Sequence, residues 1–213
     1  MEMNQETATQ QLEMIDGIKV GTKRVVSSEM TCKYLIMWGV VWILAYVLTH
    51  LYITKMPMWF FERLSETGRQ AGISIIWTVL MGATGVMQWL MVKKDLKSGA
   101  VRPTQSSKSS RQIFWFWVVL GMYCFAALAV LSPRNGMQVN AFMVITIMFA
   151  YVIMGIWSGE KMMIWLGVII TVNTLIGYFA VPGNYYSVWM AVMGGGVMIG
   201  AGVFGKIFWA VKS

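Results

Sequence analysis

Charge is what this sequence has least of. Of its 213 residues only 12% are charged, 57% are hydrophobic, and the mean hydropathy is +0.62. A soluble domain is about 25% charged, so this composition excludes an ordinary soluble globule, an intrinsically disordered chain and a coiled coil. The apolar residues lie in long runs, a pattern that indicates an integral membrane protein.

Groups that carry catalysis or bind metals are also scarce. The chain has one histidine, two cysteines and nine acidic residues. Cys32 and Cys124 belong to no C-x-x-C or Cys/His cluster, which argues against a disulfide framework and a zinc site. A single histidine also rules out a haem held by two histidines of this chain. We therefore expect no metal, no haem, no other cofactor and no enzymatic activity.

Six apolar runs are long enough to cross a membrane, for which a helix needs about 20 residues. Their approximate bounds are 30–53, 71–92, 112–131, 139–157, 162–181 and 185–211. Turn-forming residues separate the last four runs, at 132–136, 158–161 and 182–184. The sequence predicts one all-α domain over residues 30–213, a bundle of six transmembrane helices arranged as three helical hairpins.

The basic residues divide unequally between the two sides of this bundle. Thirteen lie on the side of the N-terminal segment, including those of a basic loop at residues 93–111. The other side holds four, which are Lys55, Arg63, Arg69 and Arg134. The excess of Lys and Arg places the first side, and with it both termini, in the cytoplasm. Because membrane insertion explains the positive charge, we expect no nucleic-acid partner.

Two segments outside the spans suggest contact with the membrane surface. Residues 1–29 form a cytoplasmic N-terminal segment in which Leu12, Ile15 and Ile18 fall near one face of a basic amphipathic helix. Gly17 and Gly21 weaken that helix. Residues 57–64 mix aromatic and charged side chains, as an interfacial helix does. Membrane lipids are therefore expected partners.

The polar residues inside the predicted spans are few and mostly neutral. No charged residue lies near the centre of a span, which argues against an ion-coupled pump. His50 is either a pH-sensing residue or an interfacial histidine that contacts headgroups. Gln88, Asn173 and Thr174 either line a path for a solute or join helices by hydrogen bonds. Gln88 and Asn173 would bond to each other if their spans cross at that depth.

Glycine is concentrated in the sixth span. The glycines are Gly194, Gly195, Gly196, Gly200, Gly202 and Gly205. The last three match the letters of the dinucleotide-binding fingerprint, but no βαβ unit surrounds them, so we reject that match. Gly196-x-x-x-Gly200 is a helix-packing motif, because small residues let two backbones approach closely in a membrane. The partner is either another helix of this chain or a second copy.

The first span carries a W-G-x-x-W motif at residues 38–42 within YLIMWGVVWILAY, behind Thr22-Lys23-Arg24. The last span is Gly-rich and ends on a basic residue, Lys212. These two ends of the chain resemble a group of six-span bacterial inner-membrane proteins of uncharacterised function. The resemblance implies a bacterial cytoplasmic membrane and carries no activity over to this chain.

These features favour a non-enzymatic integral membrane protein that acts through helix packing, as a homo-oligomer or as a subunit of a membrane assembly. The expected protein partner is then a second copy or another membrane subunit. The alternative is a small transporter or channel for a neutral or apolar solute, with Gln88, Asn173 and Thr174 along its path. Six of the eleven tryptophans lie within reach of the span ends, where an aromatic belt is expected, and these are Trp38, Trp42, Trp59, Trp165, Trp189 and Trp209.

Overall fold

A computed structural model describes residues 32–55, 66–97 and 107–210, and every regular element within them is helical. The last span is built from two α-helices with a π-helical segment between them. The elements are α1 (Cys32–Lys55), α2 (Glu66–Lys97), α3 (Ser107–Leu131), α4 (Gly136–Ser158), α5 (Lys161–Ala180), α6 (Tyr186–Met190), the π-helical segment Ala191–Gly196, and α7 (Val197–Ala210). Six of the helical stretches are long and apolar enough to cross a membrane, which confirms the predicted multi-pass, all-α membrane architecture.

Local chemistry ends the helices where the sequence predicts turns. Asn135 caps α4, because its side-chain Oδ1 accepts a hydrogen bond from the Gln138 backbone N at 2.8 Å. Gly159 has a φ of +72°, a left-handed conformation that favours glycine, and it closes α4. The Glu160 backbone N then donates to the Gly155 carbonyl oxygen at 2.9 Å. This compact turn brings α5 back along α4.

The core of the bundle is formed by α1, α4, α5 and the last span. Tyr46, Met148, Ile170, Met190 and Met198 are each at most 2% exposed. Helices α4 and α5 pack closely, since a β-carbon added at Gly167 would lie 2.7 Å from the Met148 carbonyl oxygen.

Helix α3 lies at the periphery. It contacts α4 through two edge-to-face ring pairs, Phe116 with Trp157 and Trp117 with Tyr151. No other described residue covers its far side, where Val130 is 85% exposed.

The N-terminal segment 1–29, the interfacial segment 57–64 and residues 98–106 of the basic loop lie outside the described residues.

Candidate functional site

A cavity of about 280 Å³ opens at one end of the bundle, and we call it the end cavity. The end of α1, the start of α2, and the turns before α4 and before α6 all contribute to its wall. The residues that give the wall its polar and aromatic character are Tyr46, Thr49, Tyr52, Trp77, Arg134, Asn135, Asn140, Tyr186 and Ser187. The cavity therefore combines ring surfaces with hydrogen-bonding groups.

An asparagine held by two tyrosines is the central polar feature of the end cavity. The Tyr46 hydroxyl donates to Asn140 Oδ1 at 2.9 Å, and the Tyr186 hydroxyl donates to the same oxygen at 3.0 Å. Both tyrosines are buried, whereas Asn140 is partly exposed and lines the cavity. The two hydroxyls saturate the oxygen, and they use neither of the N–H donors on Asn140 Nδ2. The amide is thus fixed in orientation and has N–H groups to offer a ligand.

A second set of contacts fixes the aromatic wall. Trp77 Nε1 donates to Thr49 Oγ1 at 3.2 Å, and Thr49 Oγ1 donates to the Ala45 carbonyl oxygen at 2.7 Å. The Tyr46 and Trp77 rings meet edge to face, with 4.9 Å between their centroids. These contacts join α1 to α2 and hold the indole in place, so the wall is formed before any ligand arrives.

The rim of the end cavity is positively charged. Arg134 is exposed in the turn before α4 and lines the cavity. Its backbone N donates to Gln138 Oε1 at 2.7 Å, which ties the turn to the first turn of α4. Among the lining residues that the structure describes, none is Asp, Glu, His or Cys.

The polar residues singled out in the sequence lie elsewhere. Gln88 Oε1 accepts a hydrogen bond from Trp38 Nε1 at 3.3 Å, which joins α2 to α1. Asn173 Nδ2 donates to the Met193 carbonyl oxygen at 3.3 Å, which joins α5 to the π-helical segment. Thr174 is fully buried and bonds to its own helix at the Ile170 carbonyl oxygen. Gln88 and Asn173 thus bond to other partners, and neither lines the end cavity.

His50 is partly buried on α1, four residues beyond Tyr46. Its backbone carbonyl oxygen accepts a hydrogen bond from Thr54 Oγ1 at 2.8 Å. The imidazole is not among the groups that line the end cavity, so the cavity gives it no role as a sensor there.

The glycines of the last span divide between two faces. We call the first the closed face; it comprises Gly194, Gly195, Gly202 and Gly205. A β-carbon added at Gly195 would lie 2.7 Å from the Gly39 carbonyl oxygen, and one at Gly202 would lie 2.8 Å from the Cys32 carbonyl oxygen. Residues later in the last span contact residues earlier in α1, so these two helices run antiparallel with their backbones in close contact.

The second face, which we call the open face, comprises Gly196 and Gly200. Gly200 is exposed, and an added β-carbon there would meet nothing within 4 Å in the described part of the chain. One at Gly196 would meet only the Ala191 carbonyl oxygen, at 4.0 Å, within the same span. A side chain added at either glycine of the Gly196-x-x-x-Gly200 motif would therefore point away from the other described helices.

Sequence reasoning missed Gly39 and the asparagine with its two tyrosines. The signal for Gly39 was its place in the W-G-x-x-W motif, which now has a packing role. Trp42 of that motif lies in the core at 4% exposure, against Gly194, so its expected place in an interfacial belt is wrong. Asn140 stood four residues into α4, a polar group in an apolar run, but its partners lie 94 and 46 residues away.

Comparisons with protein-family models, with curated proteins and with solved structures find no match to this chain.

Proposed function

We propose that this protein is a non-enzymatic integral membrane protein that binds a small molecule in the end cavity. The observation that supports this most is the Asn140 amide, which two buried tyrosine hydroxyls hold by its oxygen at the cavity wall. Ligand sites combine ring and aliphatic surfaces with a few oriented polar groups. Here the Asn140 N–H groups select an acceptor oxygen, and the rings of Trp77 and Tyr186 contact the apolar part of the ligand.

The absence of an enzymatic role is part of the proposal. Proton transfer and nucleophilic attack draw on His, Asp, Glu, Lys or Cys side chains within reach of one another. The described lining offers a guanidinium, two amides and hydroxyl groups instead. These groups suit binding and orientation.

We place the end cavity on the outer side of a bacterial cytoplasmic membrane, with both termini inside. The bias of basic residues supports this orientation, since the turns at 132–136 and 182–184 belong to the side with four basic residues. The resemblance of the first and last spans to bacterial inner-membrane proteins supports the choice of membrane.

Cysteine labelling tests the site and its side together. In a chain with Cys32 and Cys124 replaced by Ala, Ser187→Cys in the cavity wall should react with a membrane-impermeant maleimide on intact cells. Thr174→Cys, at a fully buried position, should not react. Labelling of Ser187→Cys only in inverted vesicles would contradict the orientation. If Ser187→Cys stays unlabelled from both sides while Asn184→Cys reacts, the cavity is closed.

Benzoate serves as a small probe, because it joins a ring to two acceptor oxygens. At millimolar concentration it should slow the labelling of Ser187→Cys. The same concentration should have no effect when Asn140→Leu is added. Equal protection with and without Asn140 would count against the amide as the ligand-binding group.

A second candidate function is assembly through the open face. Its support is that β-carbons added at Gly196 and Gly200 would meet no other described helix, although the spacing of the two glycines suits close approach to another helix. We propose a second copy of this chain, or another membrane subunit, as the partner. Gly200→Cys should then cross-link to a dimer under mild oxidation, whereas Val168→Cys on the exposed side of α5 should not.

A further inference from the structure

The end cavity has an apolar neighbour that opens toward lipid. A groove of about 340 Å³ runs between α1 and α2 and is lined by Leu48, Leu51, Tyr52, Lys55 and Ile76. Leu48 and Leu51 are 43% and 44% exposed. The groove lies on the side of α1 that the bundle core leaves uncovered, so the bilayer is its natural source of occupants. We call it the lateral groove.

Tyr52 belongs to both the end cavity and the lateral groove. Its hydroxyl lies against Gly72 of α2, so closely that a side chain at position 72 would require the Tyr52 ring to move. Gly72 therefore lets the Tyr52 ring stand between the two helices as a shared wall. The end cavity and the lateral groove therefore adjoin each other at this one side chain.

The charged residues that line the end cavity and the lateral groove in the described part of the chain are both basic. Lys55 is the last residue of α1 and lines the lateral groove, and Arg134 lies on the rim of the end cavity. No acidic residue is among the described lining residues of either space. A cation beside an apolar groove and a second cation beside N–H donors together suit an anionic headgroup attached to an apolar chain.

We propose that the ligand of the end cavity is an anionic amphiphile of the membrane itself, with a phosphate or carboxylate headgroup. The headgroup lies between Lys55 and Arg134 and accepts hydrogen bonds from Asn140, while its chain follows Leu48, Leu51 and Ile76 into the lateral groove. This inference rests on the proposed function, because it identifies the molecule that the end cavity binds. It adds a route of entry, sideways from the lipid.

Lipid binding to purified, delipidated protein tests the proposal. Phosphatidylglycerol should bind more tightly than phosphatidylcholine, as measured by native mass spectrometry and by the rise in melting temperature. Lys55→Gln and Arg134→Gln should each weaken phosphatidylglycerol binding about fivefold, the effect of one basic residue near an anionic lipid surface. Lys93→Gln, which removes a basic residue at the far end of α2, is the matched control and should leave binding unchanged.

Filling the lateral groove separates this inference from the proposed function. Ile76→Trp should abolish the preference for phosphatidylglycerol yet keep the benzoate protection of Ser187→Cys, whereas Val168→Trp on α5 should change neither. Unchanged lipid preference in Ile76→Trp and in Lys55→Gln would overturn the amphiphile. Inorganic phosphate that matches phosphatidylglycerol in stabilising the protein would also overturn it, in favour of a free anion. If Asn140→Leu loses benzoate protection while the lipid preference is unchanged in Ile76→Trp and Lys55→Gln, the amphiphile is overturned. The proposed function then stands, with a soluble molecule as the ligand of the end cavity.

Discussion

The closed and open faces of the last span use the same residue in opposite ways. Gly195 and Gly196 are neighbours in the chain, yet one touches the backbone of α1 and the other has open space beside it. Lipid supplies no hydrophobic drive between helices, so close packing must hold them together. The contrast shows that the role of a glycine in a span depends on the surface that faces it. The sequence of its own helix does not reveal that surface.

The largest expected effect comes from breaking the closed face. Gly195→Leu should push α1 away along its length and lower the free energy of unfolding by about 3 kcal/mol, since both backbones would have to move. Thermal unfolding in mild detergent measures the loss. Gly196→Leu, one residue along and on the open face, is the control and should unfold like the wild type. Equal stability of the two variants would show that the faces do not differ.

A contact between helices that depends on hydrogen bonds, without glycine, sharpens the comparison. Asn140→Leu removes the acceptor of two buried tyrosine hydroxyls, and an unsatisfied buried group costs about 1–3 kcal/mol. We expect a loss of about 2 kcal/mol, smaller than that of Gly195→Leu because no helix must move. Adding Tyr46→Phe and Tyr186→Phe should restore part of the loss. If stability does not recover, the loss in Asn140→Leu does not come from the two tyrosine hydroxyl groups.

The hydrogen bond from α5 to the last span should contribute less to stability. Asn173→Leu removes the hydrogen bond to the Met193 carbonyl oxygen, and interhelical hydrogen bonds in membranes contribute about 0.6–2 kcal/mol. We therefore expect a loss of about 1 kcal/mol in thermal unfolding. Thr171→Val is the control, because that hydroxyl bonds within its own helix at Gly167. A loss as large in Thr171→Val would mean that the interhelical bond contributes nothing of its own.

The smallest effect on stability is expected on the open face. Gly200→Leu meets open space within the chain, so the free energy of unfolding should change by less than about 0.5 kcal/mol. If a second copy packs there, the variant should elute as a smaller species in mild detergent while it stays folded. An unchanged elution volume together with unchanged stability would leave lipid as the occupant of this face and exclude the assembly.

The number and position of the helices could be read from the sequence because both follow from local properties. A run of about 20 apolar residues crosses a membrane whatever its neighbours are. The turns follow from local backbone chemistry, as at Gly159, where only a residue tolerant of positive φ ends α4 cheaply. These predictions needed no knowledge of which helices touch.

The contacts between helices could not be predicted from the sequence, because they depend on how each helix is rotated and on which helices are its neighbours. Helical spacing shows that Gly196 and Gly200 share a face, but not that α1 meets the face beside it. Gln88 and Asn173 are polar groups that need partners, and the sequence does not tell that Trp38 and Met193 supply them. The role of Asn140 becomes clear only from its contacts with Tyr46 and Tyr186, which reach it from the first and last spans.

The π-helical segment Ala191–Gly196 lies between two sets of contacts that the last span makes with different helices. Before it, Trp189 packs on Gly177 of α5; after it, Gly202 packs on Ile36 of α1. A π-helical ring encloses one residue more than an α-helical one. Deleting one of the three consecutive glycines would turn every later side chain by about 100° and move Gly202 away from α1. The length of this glycine run therefore sets the rotation of α7 relative to α6, and with it the contacts of every later residue.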